Sequence, residues 1–499
     1  AFEHVSLIEA SGEYEEAQAI SLILREALSE PNKTAALVTP DRRLAQRVSV
    51  ELERYNIEID DSAGEALLTS KPALLLRQLL SSVFSKDDPV TLSSLLKNDL
   101  IRLGYKESPS HHLELLELAL VRDAIILPAL DQLGDAVDQR REAILNSKYA
   151  PSALKKLVGE DWEKLKELAG KISDCTKDLV ILSNSDELIS PDRLVQVIKQ
   201  TGEALSKNEE DIPQIYEYSG GAELLGFLDK QQIDNKAGFQ FHPRESEAVF
   251  DALLSGKRTR TAGRTRPRIH IYGALEARLQ NSDVLILAGL NEGVWPQTTN
   301  NDPYLNRPMR AALKLPLPER RIGLAAHDFV QFSGNREVFY TRSLRVDDAP
   351  TIGSRWLQRL KTFIGSDEAK RLTDRGNTYL EFGKKLDAPT SAALFIKPPE
   401  PCPPVSARPN RLSITEIETW IRDPYAIYAK HVLGLRPLEP IEPVPDARLR
   451  GVIYHALMEQ FIKAWPDCAP ADRRLRFVEI SEALLCAQVP WPSHQAFWR

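Results

Sequence analysis

The chain lacks several features that mark common protein classes. Only four cysteines occur among its 499 residues and no two form a CxxC pair, namely Cys175, Cys402, Cys468 and Cys486. Such spacing argues against a disulfide framework or a cysteine-only metal site and favours reduced thiols in the cytoplasm. No apolar run approaches the ~20 residues that span a bilayer. The first residues show no basic region followed by an apolar core, so neither a membrane segment nor a secretory signal is predicted.

A phosphate-binding loop of the G-x-x-x-x-G-K-[ST] type is also missing. The nearest approach is Gly256-Lys257, where Asp251 stands five residues before the glycine. Without that loop the sequence has no cradle of backbone N–H groups for nucleotide phosphates. Any role in nucleotide chemistry is therefore expected to come from the facing side of a site on another domain.

Composition sets broad limits on the fold. A length of 499 residues predicts several domains at ~150 residues each. Apolar residues at 42% and charged residues at 27% are typical of globular proteins. The net charge of −7 argues against a generally basic coat for nucleic acid, although a local basic groove remains compatible with it. Because the chain starts at Ala1 without a methionine and stops at Arg499, we expect a fragment of a larger protein.

The most informative segment combines a strand, a loop and a helix. The apolar run Asp283–Leu290 is too short for an ordinary helix and is typical of a strand buried on both faces of a parallel sheet. The loop GLNEGVWP follows from Gly289, at the strand end where parallel sheets bind ligands. About 25 residues later, an amphipathic helix is predicted from Pro318, and it begins with the paired guanidinium groups of Arg320 and Arg321.

These segments resemble the later motifs of the second motor domain of superfamily-one DNA helicases. They are most similar to AddB-type subunits of bacterial AddAB helicase–nucleases, of the alphaproteobacterial kind, and residues 302–329 carry most of the resemblance. The resemblance implies an α/β fold with a parallel-sheet motor domain, a helical insertion and the start of a RecB-type (PD-(D/E)xK) nuclease domain. It also implies an AddA-like partner in a heterodimer, ATP in the complex, and DNA ends and single strands as ligands.

Domain boundaries follow from changes in pattern along the chain. We predict a first motor-like part at 1–69, a helical insertion at 70–235, a second motor-like part at 236–351, a linker at 352–410 and a nuclease-like part at 411–499. In the first part, Asp41 is predicted to cap a helix. The linker is expected because PPEPCPP near its end cannot join a helix or a central strand. The sequence pattern of the insertion is equally compatible with a mobile subdomain and with a plain helical bundle.

The resemblance implies that this chain forms one side of an ATP site and faces a nucleotide held by another domain. Arg320 or Arg321 would then offset charge on a γ-phosphate, since a guanidinium offers a planar fork of donors, with Glu292 close by. The alternative, an ion-paired helix start, is favoured. The helicase family has a Gln-x-Lys-Gly-Leu-like stretch before the strand, whereas this chain has GALEAR at 273–278. AddB-type subunits keep the motor fold without motor function, and this departure agrees with that.

Nuclease chemistry is suggested by one histidine. His455 lies in a G-x-x-x-H pattern that begins at Gly451, and in RecB-type nucleases the matching histidine helps to bind the catalytic Mg²⁺. A structural histidine is an equally good reading. No Asp followed by an acidic residue and Lys at suitable spacing occurs after His455, so the chain by itself is expected not to cleave DNA. Asp423 replaces the first cysteine ligand of the family's iron–sulfur cluster, so no cluster is expected.

A basic stretch precedes the predicted strand at 269. It contains six cations and no acid, namely Lys257, Arg258, Arg260, Arg264, Arg266 and Arg268. Such a stretch is able to follow a DNA backbone with salt-dependent affinity. A solvated loop is the alternative, and it is slightly favoured.

Two functional hypotheses follow from the resemblance. In the first, the intact protein is an exonuclease subunit of an ATP-dependent complex that processes double-strand breaks for homologous recombination. In the second, it is a non-catalytic scaffold that binds or scans a DNA strand. A remoter alternative is an unrelated nucleotide-dependent α/β enzyme.

Overall fold

The computed structural model describes most of the chain. The described residues are 2–62, 64–85, 88–122, 127–146, 152–233, 238–259, 268–299, 302–392, 395–435, 437–438, 440–441, 446–466, 472–489 and 491–499. Within them the chain divides into two compact units. Unit 1 comprises residues 1–65 and 258–396, and unit 2 comprises residues 66–257 and 397–499.

The regular elements are numbered in chain order. The strands are β1 (Val5–Ala10), β2 (Ala35–Val38), β3 (Asp60–Asp61), β4 (Glu65–Ala66), β5 (Arg258–Thr259), β6 (Ile269–Tyr272), β7 (Val284–Leu287), β8 (Glu337–Ser343), β9 (Arg345–Val346) and β10 (Ala349–Pro350). The helices are α1 (Glu13–Ser29), α2 (Arg42–Glu53), α3 (Lys71–Phe84), α4 (Pro89–Leu96), α5 (Ser110–Leu120), α6 (Leu133–Asn146), α7 (Ser152–Lys155), α8 (Gly159–Ser183), α9 (Pro191–Ser206), α10 (Gly221–Ile233), α11 (Ser246–Leu254), α12 (Arg307–Ala312), α13 (Glu319–Ser333), α14 (Arg355–Ile364), α15 (Ser366–Asp387), α16 (Ile414–Arg422), α17 (Pro424–Ile427), α18 (Ala447–Ala464), α19 (Arg473–Gln488) and α20 (Pro492–Trp498).

Unit 1 is built on a six-stranded sheet in which all neighbouring strands are parallel. Its strand order is β1-β8-β7-β2-β6-β3. The strand predicted from the run at 283–290 is β7, and all four of its residues are buried. The prediction of an α/β fold with a parallel sheet is therefore confirmed.

Helices cover both faces of this sheet. Residues of α1 and α2, such as Ile20 and Val48, pack on one face against Leu37. The opposite face buries Leu285 against Phe329 of α13 and residues of α14. Because parallel strands have both faces covered, their sequences read as continuous apolar runs rather than as alternating ones.

The start of α2 shows how local sequence positions this scaffold. The side chain of Asp41 accepts hydrogen bonds from the backbone N–H groups of Arg43 at 2.9 Å and Leu44 at 3.2 Å. These groups have no partner inside the helix, so the carboxylate satisfies them. The predicted N-cap is confirmed, and α2 begins directly beyond the carboxyl end of β2.

The segment expected as a linker contains two helices of unit 1. Both α14 and α15 lie inside the range 352–410, and Gly376 of α15 contacts the backbone of β1. A Cβ atom at Gly376 would lie 2.0 Å from the carbonyl oxygen of Leu7. The proline-rich signal that motivated the linker holds only after α15, since residues 397–404 have neither helix nor strand. The linker prediction was wrong before residue 388 because α14 and α15 present apolar residues at helical spacing to the sheet.

Unit 2 is helical in its first segment. Helices α3 to α11 surround a core that includes Leu76, Leu116, Leu168 and Ile198. The core also buries Phe250 of α11, so this unit continues to residue 257 rather than ending near 235. Residues 397–499 group with it, and within them α18, α19 and α20 share a small apolar cluster around Leu457 and Leu485.

The helices were also compared with the thickness of a bilayer. Within the described ranges, none combines the length and the apolar character that a membrane crossing requires.

Candidate functional site

A cleft in unit 1 opens at the carboxyl ends of β2, β6 and β7. Its volume is about 860 Å³, within the range of small-ligand sites. Its lining consists of Thr39, Pro40, Arg42, Ser62, Arg258, Gly273, Ala274, Leu275, Glu276, Arg278, Val294, Trp295, Pro296, Gln297, Thr298, Arg321, Leu324, Ala325 and Asp328. The loop after β7 and the start of α13 therefore share one cleft, as the sequence led us to expect.

The loop after β7 is held from beneath by buried groups. The backbone N–H of Gly289 donates a 2.9 Å hydrogen bond to Oε1 of Glu16, and the hydroxyl of Thr341 donates to the same oxygen at 2.7 Å. Trp295 is 2% exposed and donates from its indole Nε1 to the carbonyl of Ala288 at 3.1 Å. These contacts hold the loop on the sheet, where it forms one wall of the cleft.

Glu16 is an unusual carboxyl group for this position. It is fully enclosed on α1, and burial raises its pKa above the ordinary value, although the hydrogen bonds from Thr341 and Gly289 offset part of this effect. Burial favours the neutral form because the carboxylate loses its hydration. The residue supports the loop and does not line the cleft.

A second buried network fixes the other side of the same loop. Arg342 donates from Nε to Asn291 at 3.0 Å and from Nη1 to Glu9 at 3.0 Å. Lys361 of α14 also donates to Glu9, at 2.8 Å. Burial alone would raise the pKa of Glu9, but these two cations lower it below its ordinary value. Asn291 is thus a structural part of the loop.

Helix α13 is tied to the loop after β6 by a bidentate ion pair. Arg278 donates from Nε and Nη2 to the two carboxylate oxygens of Asp328, each at 2.8 Å. Asp328 is 3% exposed, and its hydrogen bonds raise the pKa of Arg278. Arg278 belongs to the GALEAR stretch, which lacks the family's Gln and Lys. The pair lies two helical turns after Arg321, on the same face of α13, and so it helps to set where Arg321 lies.

The two arginines at the start of α13 differ in their placement. Arg321 lines the cleft, whereas Arg320 does not, although both are exposed. The acid beside them, Glu319, pairs with Arg307 at 2.9 Å. Among the described residues, neither Arg320 nor Arg321 has an ion pair or a side-chain hydrogen bond. The favoured alternative, an ion-paired helix start, therefore does not describe these two guanidinium groups.

Two further residues of the cleft were not anticipated from the sequence. Arg42, the first residue of α2, pairs through Nη2 with Asp61, while its buried Nη1 has no hydrogen-bond partner among the described residues. The buried hydroxyl of Ser62, just after β3, likewise has none there. Their position directly after parallel strands was the available signal, because ligands bind at those ends.

Glu292 lies outside the cleft lining. Its carboxylate accepts from Nε of Arg355 at 3.0 Å and from the backbone N–H of Arg355 at 3.2 Å. The hydrogen bond from this guanidinium lowers the pKa of Glu292 below its ordinary value. The residue joins the loop to the start of α14.

The six basic residues of the predicted DNA-binding stretch differ in their placement. Arg260, Arg264 and Arg266 lie outside the described residues. Arg258 lines the cleft and donates to the carbonyl of Gly64 at 3.2 Å, and the ammonium of Lys257 lies 5.7 Å from the ring centre of Phe227.

Arg268 has a structural position. It donates to the carbonyl oxygens of Leu28 at 2.8 Å and Glu30 at 2.7 Å. Carbonyls at the end of a helix lack partners within it, so Arg268 closes α1. This contact engages the guanidinium that was expected to bind DNA.

The nuclease-like residues lie on helices of unit 2. His455 is exposed on α18, while Ile453 and Leu457 of the same helix are buried. The described part of the chain contains no group of three or more His, Cys, Asp or Glu side chains placed to hold a metal ion. The described residues around His455 therefore do not fit a complete Mg²⁺ site. Asp423 accepts a 3.3 Å hydrogen bond from the backbone N–H of Ala426 and caps α17.

Comparisons with known proteins give distant relatives. No protein-family model matches the chain. An uncharacterized protein of Rickettsia bellii is 25% identical over 476 residues, which cover 95% of this chain and 50% of that protein. An uncharacterized protein of Rickettsia conorii is 24% identical over 463 residues, covering 92% and 48%. The similarity thus extends through both units, and the chain spans about half the length of the curated relatives it matches.

Proposed function

We propose that this chain is part of an AddB-type subunit of a bacterial helicase–nuclease that processes DNA double-strand breaks for homologous recombination. The observation that carries the proposal is the cleft of unit 1, where the GLNEGVWP loop and Arg321 meet at the carboxyl ends of parallel strands. In a motor domain of the superfamily-one type, these two features face a nucleotide. Unit 1 is then the helicase-like second motor domain, and unit 2 supplies its helical insertion and the first part of a nuclease domain.

In this proposal the chain acts together with other parts of a cytoplasmic complex. An AddA-like partner forms the heterodimer, DNA ends and single strands are the ligands, and ATP is bound by a domain that carries a phosphate-binding loop. Arg321 faces the phosphates, since an unpaired guanidinium offers a fork of charged donors. Because the residues around His455 do not complete a metal site, we derive no Mg²⁺-dependent step from this chain. Nuclease chemistry in the intact protein needs carboxylates beyond those described.

A non-catalytic scaffold is the second candidate function. It is favoured by Arg278 and Glu292, two polar residues of the motor-like motifs that are engaged in ion pairs with Asp328 and Arg355. Side chains engaged in such ion pairs stabilise the fold and are not available to bind a reacting group. In this function unit 1 binds or guides a DNA strand without hydrolysing ATP.

The deciding experiment compares full-length protein in complex with its partner and the variant His455→Ala. Degradation of linear duplex DNA is followed with Mg²⁺ and ATP, alongside binding of DNA ends. Loss of cutting with unchanged end binding identifies a nuclease subunit, while unchanged cutting with a bound end identifies a scaffold. The control is Gln460→Ala, an exposed change on the same helix. A complex that neither binds nor degrades DNA ends refutes the proposal.

A further inference from the structure

A segment of unit 1 between the loop after β7 and helix α13 is ordered although its apolar side chains face solvent. Residues 302–317 all lie within the described ranges, and each of them is exposed or partly exposed. The segment contains α12 and five exposed large apolar side chains, namely Tyr304, Met309, Leu313, Leu315 and Leu317. Clusters of exposed apolar side chains mark interaction surfaces, because water is a poor environment for them.

Polar contacts inside the 302–317 segment hold its shape. The carboxylate of Asp302 accepts hydrogen bonds from the backbone N–H of Tyr304 at 2.9 Å and from Nη1 of Arg310 at 3.2 Å. The same guanidinium donates from Nε and Nη2 to the carbonyl of Pro316, at 3.2 and 3.1 Å. The side chain of Asn306 caps α12. A surface that is already held in one shape loses less conformational entropy when a partner binds to it.

The cations of the segment indicate a protein rather than a nucleic acid as this partner. Arg310 is engaged within the segment, and Arg307 pairs with Glu319 at 2.9 Å. A single-stranded nucleic acid needs free cations along its phosphates and aromatic side chains on which its bases stack. Here the projecting side chains are mostly leucine and methionine, and Lys314 is the one cation of the segment without an ion pair among the described residues.

The unpaired cations also argue against a second copy of this chain. A two-fold contact would place the segment against itself. Lys314 and the neighbouring Arg320, which are both exposed, would then meet the same cations of the other copy, and like charges across an interface repel. Charge complementarity instead requires carboxylates around the apolar surface of the partner.

We propose that the 302–317 segment is the docking surface for the partner subunit of the heterodimer, which meets it with an apolar groove bordered by carboxylates. The inference rests on the proposed function and adds to it the place where the two subunits meet. Met309 and Leu313 enter the groove, and Lys314 and Arg320 face its acidic border. Tyrosine, methionine and arginine, which all occur in or beside this segment, are enriched at such interfaces.

The test measures binding of the full-length protein to its partner subunit by surface plasmon resonance. We expect Leu313→Asp to lower the affinity about a hundredfold or more, since it places a charge in the apolar centre of the contact. Lys314→Glu should lower the association rate about tenfold at low salt and less at high salt, because it reverses a steering charge at the border. The control is Leu188→Asp in unit 2, where the leucine is 57% exposed against 60% for Leu313, and it should change neither quantity.

Thermal unfolding of each isolated full-length variant separates the partner subunit from other occupants. We expect Leu313→Asp to unfold at the temperature of the parent, because the surface is uncovered until the partner binds. A lower temperature for Leu313→Asp but not for Leu188→Asp would show that another domain of the same polypeptide covers the segment, and it would overturn the inference. Self-association of the parent that Leu313→Asp abolishes would do the same. So would loss of binding to a labelled oligothymidylate in Leu313→Asp with the heterodimer intact.

Degradation of linear duplex DNA by the same complexes distinguishes this inference from the proposed function. Parental affinity in both Leu313→Asp and Lys314→Glu, in a complex that degrades DNA ends, refutes the docking surface and leaves the proposed function standing. A heterodimer that depends on Leu313 but does not process DNA supports the surface and refutes the proposed function. Absence of a heterodimer refutes both.

Discussion

At the residue scale, Glu16 makes the loop beside the cleft sensitive to pH. Its folded-state pKa is raised by burial, so the folded protein binds the proton more tightly than the unfolded chain. This contribution to stability is complete below the unfolded pKa of about 4.3 and is lost as the pH rises through the raised folded value. Glu16→Gln keeps an oxygen that can accept from Gly289 and Thr341 but cannot ionise. We expect the variant to gain stability relative to the parent as the pH rises from 5 to 8, because the buried carboxyl group of the parent must then ionise without hydration.

Thermal unfolding at the two pH values measures this difference. Glu53→Gln, an exposed change on α2, controls for loss of one negative charge and should give the same shift at both. Equal destabilisation of Glu16→Gln at pH 5 and pH 8 would show that hydrogen-bond geometry rather than ionisation governs the site.

Only part of the site could be predicted from the sequence. Arg321 was predicted because paired arginines open an amphipathic helix, a local signal. The partners of Glu292 and Arg268 depend on residues 63 and about 240 positions away, and no local pattern reveals such contacts. Arg42 and Ser62 escaped notice for the same reason, since only the folded sheet brings the ends of β2 and β3 to one cleft.

At the element scale, α15 tests whether residues beyond 352 belong to unit 1. Gly376→Ala would place a methyl group 2.0 Å from the carbonyl oxygen of Leu7, so α15 or β1 must move. Gly323 of α13 is a matched control, because a Cβ there meets nothing within 4 Å. Both changes gain about 0.5–1 kcal/mol in helix preference. We expect Gly323→Ala to show that gain in urea unfolding and Gly376→Ala to lose about 1–3 kcal/mol net.

A result in which both glycine variants gain stability would mean that α15 does not pack on β1.

The elements of unit 1 differ in how well the sequence predicts them, for identifiable reasons. Strand β7 and helix α13 have strong, uninterrupted patterns and were placed correctly. Helices α14 and α15 were hidden because the prolines at 398–404 dominated the composition of the whole range.

At the scale of the whole molecule, the first segment of unit 2 is an insertion whose two ends meet. The chain leaves unit 1 after residue 65 and returns at residue 258. The backbone N–H of Leu67 donates to the carbonyl of Lys257 at 3.0 Å, so the two ends of the insertion are already adjacent. A short loop can replace an insertion whose ends are close, since closing a few residues costs little entropy. The sheet of unit 1 then keeps all six strands.

We therefore expect a shortened protein, in which about four Gly and Ser residues join Ala66 to Arg258 and the chain stops at 396, to fold as unit 1. Circular dichroism in urea should give a single cooperative transition, because the two cores on either face of the sheet consist of unit 1 residues. A shortened protein without a cooperative transition would show that unit 1 needs the helical insertion to fold.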